Sequence, residues 1–148
     1  MENLNKKDCI ALLNNNYIGH LAYISNNKPY TIPITYFFDQ KESILAYSSE
    51  GHKIEAMRKN GAVSLQVAEI NNVKNWHSVL VHGQFEEIEG TDAKFLLHEF
   101  AEGVKNIINK KEKINHQFIS DFTGDVYENG LTVVYRIKIS EIEGKKMS

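Results

Sequence analysis

The segment Ser48-Ser49-Glu50-Gly51-His52-Lys53 holds the chain's densest set of groups suited to an anion. It follows a stretch of strand character and opens a stretch of helical character. A helix start presents backbone N–H groups without intrahelical partners, the Ser48 and Ser49 hydroxyls add directional donors, Gly51 lets a ligand approach the backbone, and Lys53 supplies a compact positive charge. Those are the parts of a phosphate clamp. A serine cap followed by a solvated His-Lys pair gives the same pattern, so the residues indicate a chemistry without assigning it. Arg58, farther along the same helix, reads as added charge or as solvated surface.

A second group, Trp76-His77-Ser78-Val79, opens the longest strand candidate. The Trp76 indole has the area to fill a core or subunit interface, or to cover an aromatic cofactor. The run Tyr36-Phe37-Phe38 places aromatic rings on both faces of an extended segment, which calls for a covering helix or a second subunit. The histidines (His20, His52, His77, His82, His98 and His116) form no ligand-spaced set in the sequence, and HExxH and CxxC patterns are absent. No metal site is expected. GxSxG, Walker and GxGxxG sequences are also missing, which argues against the common hydrolase and nucleotide-fold designs.

The elements that must position these groups read as strands with a few short helices. Asp8 is expected to cap a helix over Cys9 to Asn15, and a hairpin follows, with strands Tyr17 to Ile24 and Tyr30 to Phe38 around the turn Ser25-Asn26-Asn27-Lys28. Pro33 has no ladder donor, so its strand belongs at an edge, at a bulge, or beside something that uses free backbone. Asp39 to Ser43 reads as a turn and Ile44 to Ser48 as a strand. A short helix containing Lys53, Ile54, Met57 and Arg58 ends at Asn60-Gly61. Ala62 to Ala68 is the next strand, Glu69 to Asn75 a polar break, and Trp76 to Ile88 a strand with Val79, Val81 and Phe85 on one face. Thr91 to Glu102 reads as an amphipathic helix, Gly103 to Tyr127 as an excursion, and Leu131 to Ile142 as a strand with Val133, Tyr135, Ile137 and Ile139 inward. Five or six antiparallel segments with short turns favour closure into a small barrel with helices outside, since closure removes exposed edges.

The 148 residues suit one domain, and 42% apolar with 24% charged residues is the balance of an ordered core. A formal charge of -2 provides no bulk field for nucleic acid, and the aromatics are not interleaved with a basic stripe. No stretch approaches the ~20 apolar residues of a membrane span, and the N-terminus lacks a signal-peptide pattern. The single cysteine, Cys9, has no internal partner and sits among Ile10 and Leu13. A cytoplasmic protein without membrane or nucleic-acid partners is expected.

The order of blocks resembles the pyridoxamine 5'-phosphate oxidase-like FMN-binding split-barrel superfamily, especially the small branch that includes nitroimidazole-resistance proteins. The matching blocks are Cys9-Ile10-Ala11-Leu12-Leu13, Tyr17-Ile18-Gly19-His20-Leu21-Ala22, Lys28-Pro29-Tyr30-Thr31-Ile32-Pro33-Ile34, Ser48 to Lys53, Trp76-His77-Ser78-Val79-Leu80-Val81-His82-Gly83 and Val134-Tyr135-Arg136-Ile137. The resemblance implies a mainly β fold, a small six-stranded antiparallel split β-barrel with peripheral helices. It implies a homodimer with FMN at the interface. By position, Pro33, Ile34 and Thr35 would border the isoalloxazine, Ser48 and Ser49 would approach the ribityl phosphate, Lys53 would neutralise it, and Trp76 and Ser78 would lie near the flavin or the dimer seam.

Tyr47 stands where small-branch members often have histidine, which weighs against nitroimidazole reduction, and His77 stands at a position often basic. The C-terminal substrate-binding pattern of vitamin B6 oxidases is not evident. The implied function is an FMN-dependent oxidoreductase passing electrons to a small-molecule acceptor. Two other functions are open: a non-enzymatic flavin-binding or redox-sensing module, and a haem-binding relative with His20, His82 or His116 as axial ligand.

Overall fold

The computed structural model describes residues 1–111 and 132–148. In chain order the elements are β1 (Glu2–Asn3), α1 (Lys6–Asn14), β2 (Ile18–Ser25), β3 (Lys28–Thr35), β4 (Phe37–Phe38), β5 (Ser43–Ser49), α2 (His52–Lys59), β6 (Ala62–Asn72), β7 (Asn75–Ile88), α3 (Gly90–Lys111) and β8 (Thr132–Met147). All strand pairs are antiparallel, in the order β3-β2-β6-β7-β8-β5-β4, with β1 added to β8. The fold is the mainly β split barrel implied by the resemblance.

Eight strands replace the six expected, for two reasons. β1 is an additional short pair with β8. The expected strand from Tyr30 to Phe38 is divided at Tyr36, so that β3 pairs with β2 while β4 pairs with β5. Tyr36 turns one continuous run from one neighbour to the other, with its N–H still donating to the Tyr17 carbonyl at 2.8 Å. The ring of neighbours is therefore completed through the chain itself. Tyr36 is fully buried and its hydroxyl donates to the Leu13 carbonyl at 2.8 Å, tying this junction to α1. Burial pushes the Tyr36 phenol well above its ordinary range, with a further contribution from the nearby Glu69 charge.

Inside the ring, Leu21, Leu65, Val79, Val81, Tyr135 and Ile137 are essentially removed from water. This is the phase that alternation in β7 and β8 predicts. A second cluster, with Tyr17, Leu45, Phe100, Ala101, Val104 and Ile108, lies under α3. Phe37 packs in this second cluster while Tyr36 and Phe38 pack in the first, so a helix covers one face of the aromatic run.

Several boundaries differ from expectation. Asn5, rather than Asp8, caps α1: its side chain accepts from the Asp8 N–H at 2.8 Å, and the helix starts at Lys6. The polar stretch from Glu69 to Asn75 is largely strand, because Asn72 pairs with Asn75 around a two-residue turn and Glu69 and Ile70 remain in the ladder. α3 continues past Glu102 to Lys111. Gly103 does not interrupt it but provides close approach, since a Cβ there would lie 2.3 Å from the Phe37 ring. β8 runs on to Met147 through a bulge beside His82 and Gly83. Most of the expected excursion beyond Lys111 lies outside the described residues, as does His116.

Candidate functional site

β5 delivers Ser48 and Ser49 to the start of α2. Ser48 is buried, and its hydroxyl donates to the Ser49 carbonyl at 2.8 Å, whereas Ser49 is exposed. No side chain caps α2 at Gly51, whose extended backbone is ordinary; a Cβ there would meet nothing within 4 Å. The helix start is therefore open, with N–H groups that lack a side-chain cap. Lys53 is half-buried, and among the described residues it has no ion-pair partner. Burial lowers its ammonium pKa from the usual lysine value. A partly desolvated, unpaired cation beside open N–H donors suits an anion.

Arg58 is engaged elsewhere. Its guanidinium forms a two-bond fork with Glu50, both at 2.8 Å, and a second with Glu87 at 2.7 and 2.9 Å. The bond from Arg58 holds the Glu50 carboxyl below its usual range. Arg58 thus offsets an acid next to the helix start instead of meeting a ligand directly.

His52 fixes the first turn of α2 against the hairpin. Its Nδ1 lies 3.0 Å from the Tyr23 hydroxyl, its ring lies edge-on to Tyr30 at 5.0 Å, and Tyr23 and Tyr30 stack at 5.3 Å. Sequence reasoning treated His52 only as half of a polar pair. The available signal was the Asn26-Asn27 turn, whose register places Tyr23 opposite Tyr30.

β3 is the terminal strand of the sheet order and contains both of the chain's prolines, Pro29 and Pro33. In an antiparallel ladder, alternate residues direct both backbone groups toward the same neighbour. Tyr36 donates to β2, so the even positions face β2 and the odd ones face away. Pro29 and Pro33 consequently fall where their missing N–H leaves the β2 ladder intact. Thr31 and Thr35 keep N–H groups directed off the edge. Side chains alternate as well: Tyr30, Ile32 and Ile34 share the face that begins at His52, while Pro33 and Thr35 share the face of their partners His20 and Ile18. Among the described residues the Pro33-Ile34-Thr35 segment pairs only with β2, with Ile34 half-buried against the core and the Thr35 N–H directed off the edge.

Trp76 and Ser78 lie elsewhere. Ser48 pairs with Val133 near the start of β8, but Ser78 pairs with Lys145 and Trp76 with Met147 near its end. From Val133 to Lys145 is about 40 Å of chain at ~3.3 Å per residue. Ser78 accepts a hydrogen bond from the Gln66 side chain at 3.0 Å, and half-buried Trp76 pairs with Ile70. Next to Trp76, His77 meets Glu69 at 3.1 Å. Glu69 also accepts from Asn16 at 3.0 Å, and its carboxyl is lowered first by that bond and then by His77 and Lys111. Lys111 also donates to Asn16, which pins the end of α3 to the sheet.

Cross-strand pairing assembles one group that sequence spacing conceals: His82, Glu141 and Glu143 bring ligand-type atoms within 4.8 Å of one another. The two glutamates alternate along β8, and His82 stands on β7. Both His82 nitrogens are engaged, Nδ1 with Ser64 at 2.8 Å and Nε2 with Glu143 at 3.3 Å. No described helix is long and apolar enough to cross a membrane.

Residues 5–146 match the family described as Pyridoxamine 5'-phosphate oxidase, and the chain belongs to it. An uncharacterized protein from Rhizobium meliloti, RA0666, is 33% identical over 88 residues, 60% of this chain and 58% of that protein. The match thus spans less than two thirds of that relative's length. Among solved structures, a FAD-binding protein from Mesorhizobium loti superposes with a TM-score of 0.75 at 28% identity, covering 99% of this chain and 98% of the other. A putative 5-nitroimidazole antibiotic resistance protein from Bacteroides thetaiotaomicron gives 0.64 at 14% identity over 97% and 85%. A heme binding protein from Mycobacterium smegmatis gives 0.70 at 11% identity over 93% and 52%. The latter two share the fold.

Proposed function

We propose that this member of the pyridoxamine 5'-phosphate oxidase family is a flavoprotein that holds FMN through its phosphate at the start of α2 and passes electrons to a small-molecule acceptor. The carrying observation is the uncapped start of α2, beside a half-buried Lys53 with no ion-pair partner among the described residues. The phosphate would take its charge partner from Lys53 and its directional bonds from Ser49 and the helix N–H groups. Ser48 supports the turn through its bond to Ser49. Ile34 and the free Thr35 N–H would border the ring. The bound flavin supplies the redox chemistry, while the protein binds, orients and desolvates.

A homodimer completes this reading. Ile18 and Ile24 on β2 share one face of the β2–β3 pair and are exposed at 53% and 39%. A two-fold mate can cover these side chains and bring its own Trp76 and Ser78 to the margin that one protomer leaves uncovered. Of the candidate haem ligands, His82 has both ring nitrogens engaged, Nδ1 by Ser64 and Nε2 by Glu143. The absorption spectrum of untreated protein separates flavin from haem: a Soret band without flavin bands overturns the proposal. Turnover with a panel of reductants and acceptors separates an oxidoreductase from a flavin-binding module.

The site itself is tested with Lys53→Ala titrated against FMN and riboflavin. Loss of one charged contact lowers FMN affinity about ten- to hundredfold, or ~1.5–3 kcal/mol, and leaves riboflavin within about twofold. Equal losses for both ligands indicate a damaged pocket, and no loss for either removes Lys53 from the site.

A further inference from the structure

β8 changes phase where it passes His82. Val81 pairs with Ile142 and Gly83 with Ile139, so β8 carries an extra residue, Ser140, in a bulge. The Ser140 hydroxyl donates to the His82 carbonyl at 3.1 Å and closes it. Ile139 and Ile142 both pack on the core in consequence. In an unbroken strand Glu141 and Glu143 would follow Ile137 and Ile139 inward. The bulge turns both glutamates to the outer face of the sheet, with Glu141 directly across from His82.

On that face the three side chains form a ligand set. His82 Nε2 lies 3.3 Å from a Glu143 oxygen, and ligand-type atoms of all three residues come within 4.8 Å of one another. Two ligands about 2.0 Å from a tetrahedral ion stand about 3.3 Å apart, so His82 and Glu143 already have the spacing of a shared ion. A charge-assisted hydrogen bond is usually shorter, at about 2.7–2.9 Å. The other ring nitrogen, Nδ1, lies 2.8 Å from the hydroxyl of Ser64, which stands across the ladder on β6. Histidines that bind metal are held in this way: Ser64 can accept from Nδ1–H, fix the ring and leave the Nε2 lone pair for the ion. The charges agree. Among the described residues, Glu141 has no hydrogen-bond or ion-pair partner and Glu143 has only His82. Lys145, next along the same face of β8, donates to the Asn3 side chain instead. Two acids with no lysine or arginine partner, beside an imidazole, match a divalent cation.

We infer that His82, Glu141 and Glu143 bind a divalent transition-metal ion of the Zn²⁺ type, with Ser64 as a positioning residue. One nitrogen and two carboxylate oxygens suit such an ion better than Mg²⁺ or Ca²⁺, whose sites are built from oxygen. His82 is half-buried and both glutamates are exposed, which leaves the remaining coordination position to water or to a small ligand from solution. The set shares no residue with the proposed flavin site, so neither reading depends on the other.

The experiment titrates the full chain, stripped of metal with a chelator and dialysed, with Zn²⁺ by calorimetry and with Co²⁺ by visible absorption. Wild type is expected to take up one Zn²⁺ per chain at this set, to give the intense bands of Co²⁺ in a low-coordinate site, and to retain Zn²⁺ against excess Mg²⁺ or Ca²⁺. Glu141→Gln/Glu143→Gln and His82→Gln should each weaken that binding at least about hundredfold and abolish the Co²⁺ bands. Ser64→Ala should weaken it about tenfold and shift the bands, and Ser64→Thr, which keeps the hydroxyl, should restore both. Thermal melts of the metal-free chains verify folding; the two exposed glutamates decide the matter alone if His82→Gln does not fold. Zn²⁺ binding that is equally tight in wild type and the double glutamate variant places the ion on other histidines and overturns the inference. So does the absence of saturable Zn²⁺ binding in wild type, and displacement by Mg²⁺ or Ca²⁺ at comparable concentration overturns the transition-metal assignment. Unchanged affinity and bands in Ser64→Ala remove Ser64 from its positioning role.

Discussion

β3 and β5 are strands of similar length close to the same helix, yet water reaches β3 along most of its length and is excluded from most of β5. β5 lies between β4 and β8 and is further covered by α3, where Tyr47 meets Phe100 edge-on at 5.3 Å. β3 pairs with β2 on one side, and no strand among the described residues pairs with its other side. Its prolines occupy two positions that would otherwise direct N–H donors off the edge, which discourages pairing with a further strand. What the exposed edge retains is apolar side chains and two threonine donors. That combination suits a ligand and a side-chain interface better than an added strand, and it gives the closed and open sides of the barrel different sensitivities to mutation.

The largest effect is expected on the closed side. A Cβ at Gly83 would lie 2.4 Å from the Lys138 carbonyl oxygen and 2.6 Å from Ile137 Cγ2, at the bulge where β7 and β8 approach closely. The backbone oxygen cannot swing aside as a flexible side chain can. Gly83→Ala is expected to destabilise the protein by about 3 kcal/mol in denaturant unfolding. A loss below about 1 kcal/mol would show that the bulge yields easily and that the closed side is less rigid than its packing implies.

On the open side, Ile18→Asp tests association. Ile18 lies across from Thr35 and is 53% exposed, so within one protomer a carboxylate there should be tolerated. Buried against a second copy, it would be an unpaired charge. The expected result is association weakened about ten- to hundredfold, read by sedimentation across a dilution series, with unfolding of the separated protomer changed by at most ~0.5 kcal/mol. An unchanged oligomeric state removes this face from the interface.

The sequence revealed those parts of the molecule governed by local rules. Alternation located the inward residues of β7 and β8, and Pro33 restricted its strand to an edge, a bulge or a margin with free backbone, of which the structure shows the edge. The helix start at Gly51 was legible because strand, turn and helix signals meet within six residues. Features made by distant segments were hidden. Arg58 read as added charge or solvated surface, because its two carboxylate partners, Glu50 and Glu87, are brought to it from separate elements. His82 shows no ligand spacing with Glu141 or Glu143 in the sequence because the β7–β8 register creates their proximity. Gly103 looked like a helix stop because its purpose, room for Phe37, resides on another element. Asn5 was missed as a cap because Asp8 satisfies the same local pattern three residues later.

The smallest expected effect concerns the proton on Lys53, and it bears on whether the open side holds a phosphate. Burial lowers this lysine's pKa from 10.5, so in the ligand-free fold it loses its charge at lower pH than in the unfolded chain. For a lowered ammonium pKa, the folded state binds fewer protons than the unfolded state between the two values. The lysine's stability penalty is therefore fully present below the folded pKa and relieved as pH rises through it toward the unfolded value. A phosphate dianion reverses this balance by favouring the charged form. The second phosphate proton is already lost above about pH 6–7, so any change in phosphate-dependent affinity at higher pH belongs to the protein. The ratio of FMN to riboflavin affinity cancels titration of the ring and is expected to fall as pH rises from neutral toward 10.5, because part of a charged contact is lost. FMN binding should take up protons in that window, detectable as calorimetric heats that differ between buffers of unlike ionisation enthalpy, and Lys53→Ala should abolish both effects. A ratio that stays flat in wild type, or falls equally in Lys53→Ala, would show that the lysine proton is not linked to phosphate binding.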